Sequence, residues 1–199
     1  MDQNLNNYTE EFNQRQYTVV RGFLNKDLLE FISNYFKIQK DAMNYTFDPQ
    51  VPNAKSFYAD GVTETLLAGT IQFYSEICGK RLGPTYSYSR IYGLNDHLRM
   101  HRDRPSCQYS ATLCIARPED QPNTALYFNS VEAEYGADQL FLEPGDICFY
   151  RGDELYHWRD KIQSSWYLQT FLHYVDMDGE YPGHLYDRRP GLGFPGAVD

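Results

Sequence analysis

Cysteine is scarce. The chain has four, Cys78, Cys107, Cys114 and Cys148, and no Cys-x-x-Cys pair. That spacing argues against structural zinc and against a disulfide framework. Three of them lie in or beside apolar, strand-like stretches, where Cys behaves as a small hydrophobe. Basic charge is also in short supply: 18 Lys and Arg stand against 27 Asp and Glu, a formal net charge of −9. A phosphate-backbone binder needs a basic footprint, so nucleic acid is not an expected partner, although Arg99, Arg102 and Arg104 form one local basic strip. No apolar run approaches a membrane span, and the first residues, rich in Asn, Gln and Glu, lack the apolar core of a secretory signal. The expectation is a soluble, reduced, cytoplasmic protein with no membrane partner. No internal repeat and no linker divides the chain, so residues 17–199 are expected to form one domain behind a flexible, polar N-terminus over residues 1–16.

What is abundant is tyrosine. Aromatics make up 16% of the 199 residues, with 18 Tyr against 2 Trp, which favours sheets and pockets walled by hydroxyl-tipped rings. A first strand is expected over 17–23. Asn25 then stands as an N-cap before a helix through Leu28, Leu29, Ile32 and Phe36. Residues 44–60, with Pro49 and Pro52, read as a loop, and Thr63 as the cap of a second helix that reaches Gly79. From there the period changes to two. Residues 85–92 put Tyr86, Tyr88, Arg90 and Tyr92 on one face, and further strands are expected at 110–115, 125–128, 139–142, 146–150 and 166–175. Helices followed by about eight short strands predict a mainly β, α+β architecture: a double-stranded β-helix, or jelly roll, packed against N-terminal helices. Residues 176–199, rich in Gly and Pro, are expected to lie over it as an extended strap.

The segment Leu98-Arg-Met-His101-Arg-Asp103 carries the chemistry. Side chains alternate along a strand, so His101 and Asp103 share a face. His157, arriving from a distant strand, would complete two imidazoles and one carboxylate on one side of a metal. That set leaves positions open and suits non-haem Fe(II) oxygenases. In isolation a surface His-x-Asp pair and a core histidine would look the same.

His101-x-Asp103, the turn Pro144-Gly145-Asp146 and then His157 stand in the order found in Fe(II)/2-oxoglutarate-dependent dioxygenases, and Arg90-Ile-Tyr92-Gly93 resembles the strand before this motif in their prolyl-hydroxylase-like members. A second likeness runs through residues 84–92, Asp103-Arg-Pro-Ser-Cys107, His157-Trp-Arg-Asp160 and Phe171-Leu-His-Tyr-Val175. These resemble an uncharacterised microbial and phage subgroup of predicted 2-oxoglutarate oxygenases, over about Val19 to Gly193. The resemblance implies an enzyme, a hydroxylase. It would use Fe(II) held by His101, Asp103 and His157, 2-oxoglutarate as cosubstrate and dioxygen, and release succinate and CO2. A peptide prolyl side chain or a small amino-acid-like molecule fits it as substrate.

One departure from that pattern stands out. Relatives carry a Lys or Arg about ten residues after the second histidine to grip the distal carboxylate of 2-oxoglutarate, but Trp166, Tyr167 and Leu168 occupy that register here. A buried carboxylate needs a charged or multiply hydrogen-bonded seat. Arg159, two residues beyond His157, ranks first as the substitute. Arg90, beside Tyr88 and Tyr92, comes next, and Arg117 third. Each of these arginines could equally be a surface ion pair. Two other readings stay open: a cupin-like metal enzyme that does not use 2-oxoglutarate, and a non-catalytic jelly-roll binding module.

Overall fold

The computed structural model describes residues 3–129 and 136–194. Three helices, α1 (Gln3–Arg15), α2 (Lys26–Asp41) and α3 (Gly61–Cys78), precede most of the β-structure. The strands are β1 (Tyr17–Val20), β2 (Thr46–Asp48), β3 (Val51–Tyr58), β4 (Leu82–Gly93), β5 (Leu98–His101), β6 (Tyr109–Ala116), β7 (Leu126–Asn129), β8 (Asp138–Leu140), β9 (Ile147–Arg151), β10 (Tyr156–Arg159) and β11 (Trp166–Asp176). They form two antiparallel sheets: seven strands in the order β1-β9-β6-β11-β4-β3-β2, and four in the order β5-β10-β7-β8. The sheets face each other across a buried aromatic layer, in which Tyr17 of β1 stacks on Phe128 of β7 at 5.0 Å. The helices cover the outer face of the larger sheet through a second core that includes Ile32, Phe36, Leu67, Tyr74 and Phe149. This is the expected jelly roll with flanking helices. No helix among the described residues is long and apolar enough to cross a membrane.

Four expectations need correction. The N-terminus is not a flexible tail from Gln3 onward. It is α1, because Leu5, Tyr8 and Phe12 recur at i, i+3 and i+7 and pack against the core, Tyr8 on Phe73 and Phe12 on Tyr74. The stretch read as a loop is the β2–β3 hairpin. Pro49 and Pro52 lie outside the part of β3 that pairs with β4, Lys55 to Tyr58, where a missing N–H would break the ladder. Helix α3 is capped by Asp60 rather than Thr63: its carboxylate accepts from Val62 N–H, and Gly79 closes the helix at φ 65°. Asn25 caps α2 as expected, accepting from Leu28 N–H.

The C-terminal strap crosses β4, but its middle is a pair of tight 3-10 turns (Pro182–Arg188) rather than an extended run. Tyr186, Asp187 and Arg188 have φ of 54°, 53° and 64°, a conformation that costs non-glycine residues energy and needs outside contacts to hold it. Those contacts are present. Buried Arg189 pairs with buried Glu64 of α3, and Asp187 pairs with Arg104. Residues 195–199 of the expected strap lie outside the described residues.

Candidate metal centre and its cavity

Strand pairing brings the two histidines together. In the antiparallel β5–β10 ladder, His101 and His157 are direct partners, and their rings sit 4.3 Å apart. Asp103 follows just past the end of β5. Its N–H donates to Gly152 O at 2.8 Å, which turns the chain so that Oδ1 lies 3.5 Å from Nε2 of both His101 and His157. Ligand atoms of all three residues lie within 4.8 Å of one another.

The ring nitrogens are committed in a way that suits a metal. His101 Nδ1 is 2.8 Å from Arg99 O, and His157 Nδ1 is 3.0 Å from Leu155 O. A carbonyl only accepts, so each Nδ1 carries a proton and each Nε2 faces Asp103, donating to it in the charged ring and offering a lone pair in the neutral one. Burial alone would raise the Asp103 pKa. The charge of His157, together with hydrogen bonds from His101 and His157, outweighs it and holds the carboxyl well below the usual range. The His101 pKa is raised: burial opposes this, but the bond to and charge of Asp103 prevail. The cluster is therefore a carboxylate held among imidazoles. Once the Nε2 protons are lost, two nitrogens and an oxygen converge from one side with lone pairs that fit a divalent transition metal.

Ser110 supports Asp103 from behind. Its Oγ lies 3.1 Å from Asp103 Oδ2, 3.1 Å from Cys107 O and 2.9 Å from His173 Nδ1. Gly152 closes the same corner: a Cβ there would strike Cys107 O and Asp103 Oδ2 and come within 2.7 Å of Ser110 Oγ. Burial lowers the His173 pKa to about 4, so this ring is neutral near pH 7. Asp103, Cys107 and His173 form a second close group, but burial pushes the Cys107 thiol far up and keeps it protonated, a poor metal ligand.

The cluster faces a cavity of about 380 Å3 whose far wall is the larger sheet. There β4 presents Tyr86, Tyr88 and Arg90, as period two predicts, and Tyr92 lies buried behind them. Arg90 is 3% exposed. It gives Nη1 to Tyr92 OH at 3.2 Å and Nη2 to Asp48 Oδ2 at 2.7 Å, and its buried Nε has no partner among the described residues. Tyr88 OH donates to the same Asp48 oxygen at 2.7 Å. Burial opposes ionisation of Asp48, yet these bonds hold its pKa below the ordinary value. A buried guanidinium, itself held by Tyr92, and the Tyr88 phenol thus already form a seat around one carboxylate.

Arg159 does not join them. It is 2% exposed on β10, beyond an irregularity in the ladder after His157. Its guanidinium lies over Tyr167 at 4.7 Å and donates to Thr124 O at 2.6 Å, away from the cavity wall. Arg117 pairs with Glu143 at 2.6 Å, also off the wall. Of the three candidate anchors, only Arg90 shares the cavity with the metal cluster. In the basic strip, Arg102 lines the cavity, Arg104 is tied to Asp187 at 2.8 Å and 3.1 Å, and Arg99 lines an adjoining cavity. Sequence reasoning missed Asp48, Ser110 and Gly152, none of which belongs to a motif.

No protein-family profile matches the chain, and no curated protein matches it. Solved structures do. A prolyl-4-hydroxylase from Pseudomonas putida superposes with a TM-score of 0.70 at 13% identity, covering 86% of this chain and 98% of that one. The chain shares that enzyme's fold. Two further structures with the same fold are a prolyl hydroxylase from Trichoplax adhaerens, bound to a hypoxia inducible factor peptide fragment, and HygX from Streptomyces hygroscopicus, bound to nickel, 2-oxoglutarate and hygromycin B. The first matches at TM-score 0.70 and 11% identity, over 88% of this chain and 91% of that one. The second matches at 0.67 and 11%, over 86% and 87%.

Proposed function

We propose that the protein is an Fe(II)- and 2-oxoglutarate-dependent oxygenase. The observation that carries this reading is the convergence of His101, Asp103 and His157 across one cavity from the buried, part-satisfied cation Arg90. His101 Nε2, His157 Nε2 and Asp103 would hold the metal. When bound, Fe(II) would supply activation of dioxygen coupled to decarboxylation of 2-oxoglutarate to succinate and CO2. The rest is the work of the chain. Ser110 and Gly152 fix Asp103, and the carbonyls of Arg99 and Leu155 fix the imidazole tautomers. Arg90, with Tyr88 and Tyr92, would take the distal carboxylate of the cosubstrate. Tyr150 and Phe128 pack on the His157 ring and exclude water from that side.

For substrate we favour a peptide side chain over a free amino acid, with hydroxylation as the outcome. An adjoining cavity of about 550 Å3 shares Gln50, Leu98 and His101 with the first, which gives room for a longer molecule leading past the metal cluster. The net charge of −9 disfavours a nucleic acid.

Anaerobic titration of the Fe(II)-loaded protein with 2-oxoglutarate tests this, with the visible metal-to-ligand charge-transfer band of the chelate as readout. A saturable band that is lost in His157→Ala supports the proposal. Bound iron with no band would overturn the use of 2-oxoglutarate and favour a cupin-like enzyme. Absence of iron binding would leave a jelly-roll binding module.

A further inference from the structure

A cleft of about 540 Å3 opens on the opposite face of the seven-stranded sheet from the metal cavity, between that face and α2. Strand register explains its floor. Lys55, Ile91 and Leu168 are neighbours across β3, β4 and β11, and one step further Trp166 stands opposite Gly93. Side chains two apart share a face, so Trp166 lies on the side of Leu168, and the glycine across from it leaves space unfilled. On the helix, Ser33, Lys37 and Lys40 fall at i, i+4 and i+7 and form the opposite wall.

The charge in this cleft runs against the rest of the chain. Three of the six lysines line it and no carboxylate does, in a protein of net charge −9. Lys37 has no ion-pair or hydrogen-bond partner among the described residues. Lys55 Nζ reaches only Asn53 O at 3.5 Å, and Lys40 only Asp41 at 3.3 Å, an exposed pair that contributes little. Lysines on a solvated helix are common and need no ligand. Here they rim a concave, apolar floor with a partly exposed indole at one end, 38% accessible. An apolar floor with a few convergent polar groups is the general form of a small-molecule site.

We propose that this cleft binds a small phosphorylated molecule with an aromatic ring, of the nucleoside monophosphate class. The ring lies against Trp166 and the Ile91–Leu168 floor. The phosphate dianion meets Lys37 and Lys55, with Lys40 at the edge. A single carboxylate would leave most of this positive charge unanswered.

Calorimetric titration of the full-length, metal-free chain with adenosine monophosphate tests it, with adenosine and inorganic phosphate as separate arms. Saturable binding is expected, at least tenfold tighter than either fragment alone. Lys37→Ala with Lys55→Ala, and separately Trp166→Ala, should each weaken it at least tenfold. His157→Ala should leave it unchanged, which separates this site from the metal cavity. In a Trp158→Phe background Trp166 is the sole indole, and its fluorescence should change with the same midpoint. No saturation at millimolar nucleotide, or equal affinity in the lysine variants, would overturn the proposal. So would lysine-dependent binding of anionic lipid vesicles without binding of the nucleotide.

Discussion

The four-stranded sheet gives the candidate site His101 on β5 and His157 on β10, with Asp103 just past the end of β5, while the seven-stranded sheet gives it Arg90 and Tyr88 on β4 and, on β2, Asp48. The sheets are also supported differently. The larger one carries helices over much of its outer face and buries the middle of both surfaces. On the outer surface of the smaller one Trp158 stacks on Tyr127, both partly exposed. Neutral lone pairs and one fixed carboxylate come from the thinner sheet, and a buried cation comes from the thicker. The difference makes chemical sense. A metal ligand needs orientation, which a ladder register and carbonyl partners supply cheaply. A buried guanidinium needs compensation for lost hydration: Asp48 and Tyr92 supply it to Arg90 on the larger sheet, and Thr124 O and the Tyr167 ring to Arg159 on the smaller, where it lies off the cavity wall.

The largest expected effect comes from breaking the small-sheet half. His157→Ala should lower Fe(II) affinity by more than about 100-fold. Saturating metal should raise the Tm of the parent protein, since a ligand at about 100 times its Kd adds about 2.7 kcal/mol, and should leave the variant unmoved. A metal-induced Tm shift that survives in His157→Ala would remove this histidine from the ligand set. Next in size is the large-sheet half. Arg90→Met should leave metal affinity intact while weakening 2-oxoglutarate by about 10- to 100-fold, the worth of a charge-assisted bond. Arg159→Met should change cosubstrate affinity by less than about twofold, because its guanidinium serves Thr124 and Tyr167 instead. The reverse ranking in titrations of the charge-transfer band would place the anchor on the small sheet and abolish the division.

Much of this was legible in the chain. Alternation gathered Tyr86, Tyr88 and Arg90 on one face, and it anticipated His101 beside Asp103, although Asp103 lies past the strand end and is turned into place by its bond to Gly152 O. Alternation could not separate Arg90 from Arg159. Both face inward on their strands, but only tertiary packing decides which lies level with the metal cluster. Helix α1 was hidden because Leu5, Tyr8 and Phe12 are thinly spread among polar residues and gain meaning only against Phe73 and Tyr74. The β2–β3 hairpin was hidden by two prolines, and with it Asp48. Ser110 and Gly152 act through single close contacts that no periodicity encodes.

Gly152, in the turn from β9 of the larger sheet to β10 of the smaller, sharpens the comparison at the metal ligands. An added Cβ would strike Asp103 Oδ2 and the Cys107 carbonyl, so Gly152→Ala should cost about 1–3 kcal/mol of stability. Because the displaced group is the metal carboxylate, Fe(II) affinity should fall as well, whereas an overpacked position elsewhere would lower stability alone. Paired measurement of denaturant midpoint and metal affinity separates the two. A variant that loses stability but binds iron normally would show that Asp103 is fixed by Ser110 and its own backbone bond.

The smallest expected effect probes the large-sheet seat through pH. In the folded protein the bonds from Tyr88, the Gln50 N–H and Arg90 hold the Asp48 pKa below its ordinary value of 3.8. A carboxyl with a depressed folded pKa stabilises the protein at pH above its unfolded value, and that contribution is lost as pH falls through the folded one. The metal-free parent should therefore melt about 2 °C above Asp48→Asn at pH 7, and the gap should close below about pH 3.8. Since Asp48 occupies Arg90, the same variant also reports what the pairing does to the seat. If the cosubstrate must displace the Asp48 carboxylate, Asp48→Asn should bind 2-oxoglutarate more tightly than the parent at pH 7. If Asp48 instead orients Arg90 while the free Nε and the phenols take the ligand, the variant should bind it more weakly. Either shift keeps the anion seat on the large sheet, and an unchanged affinity would take it away.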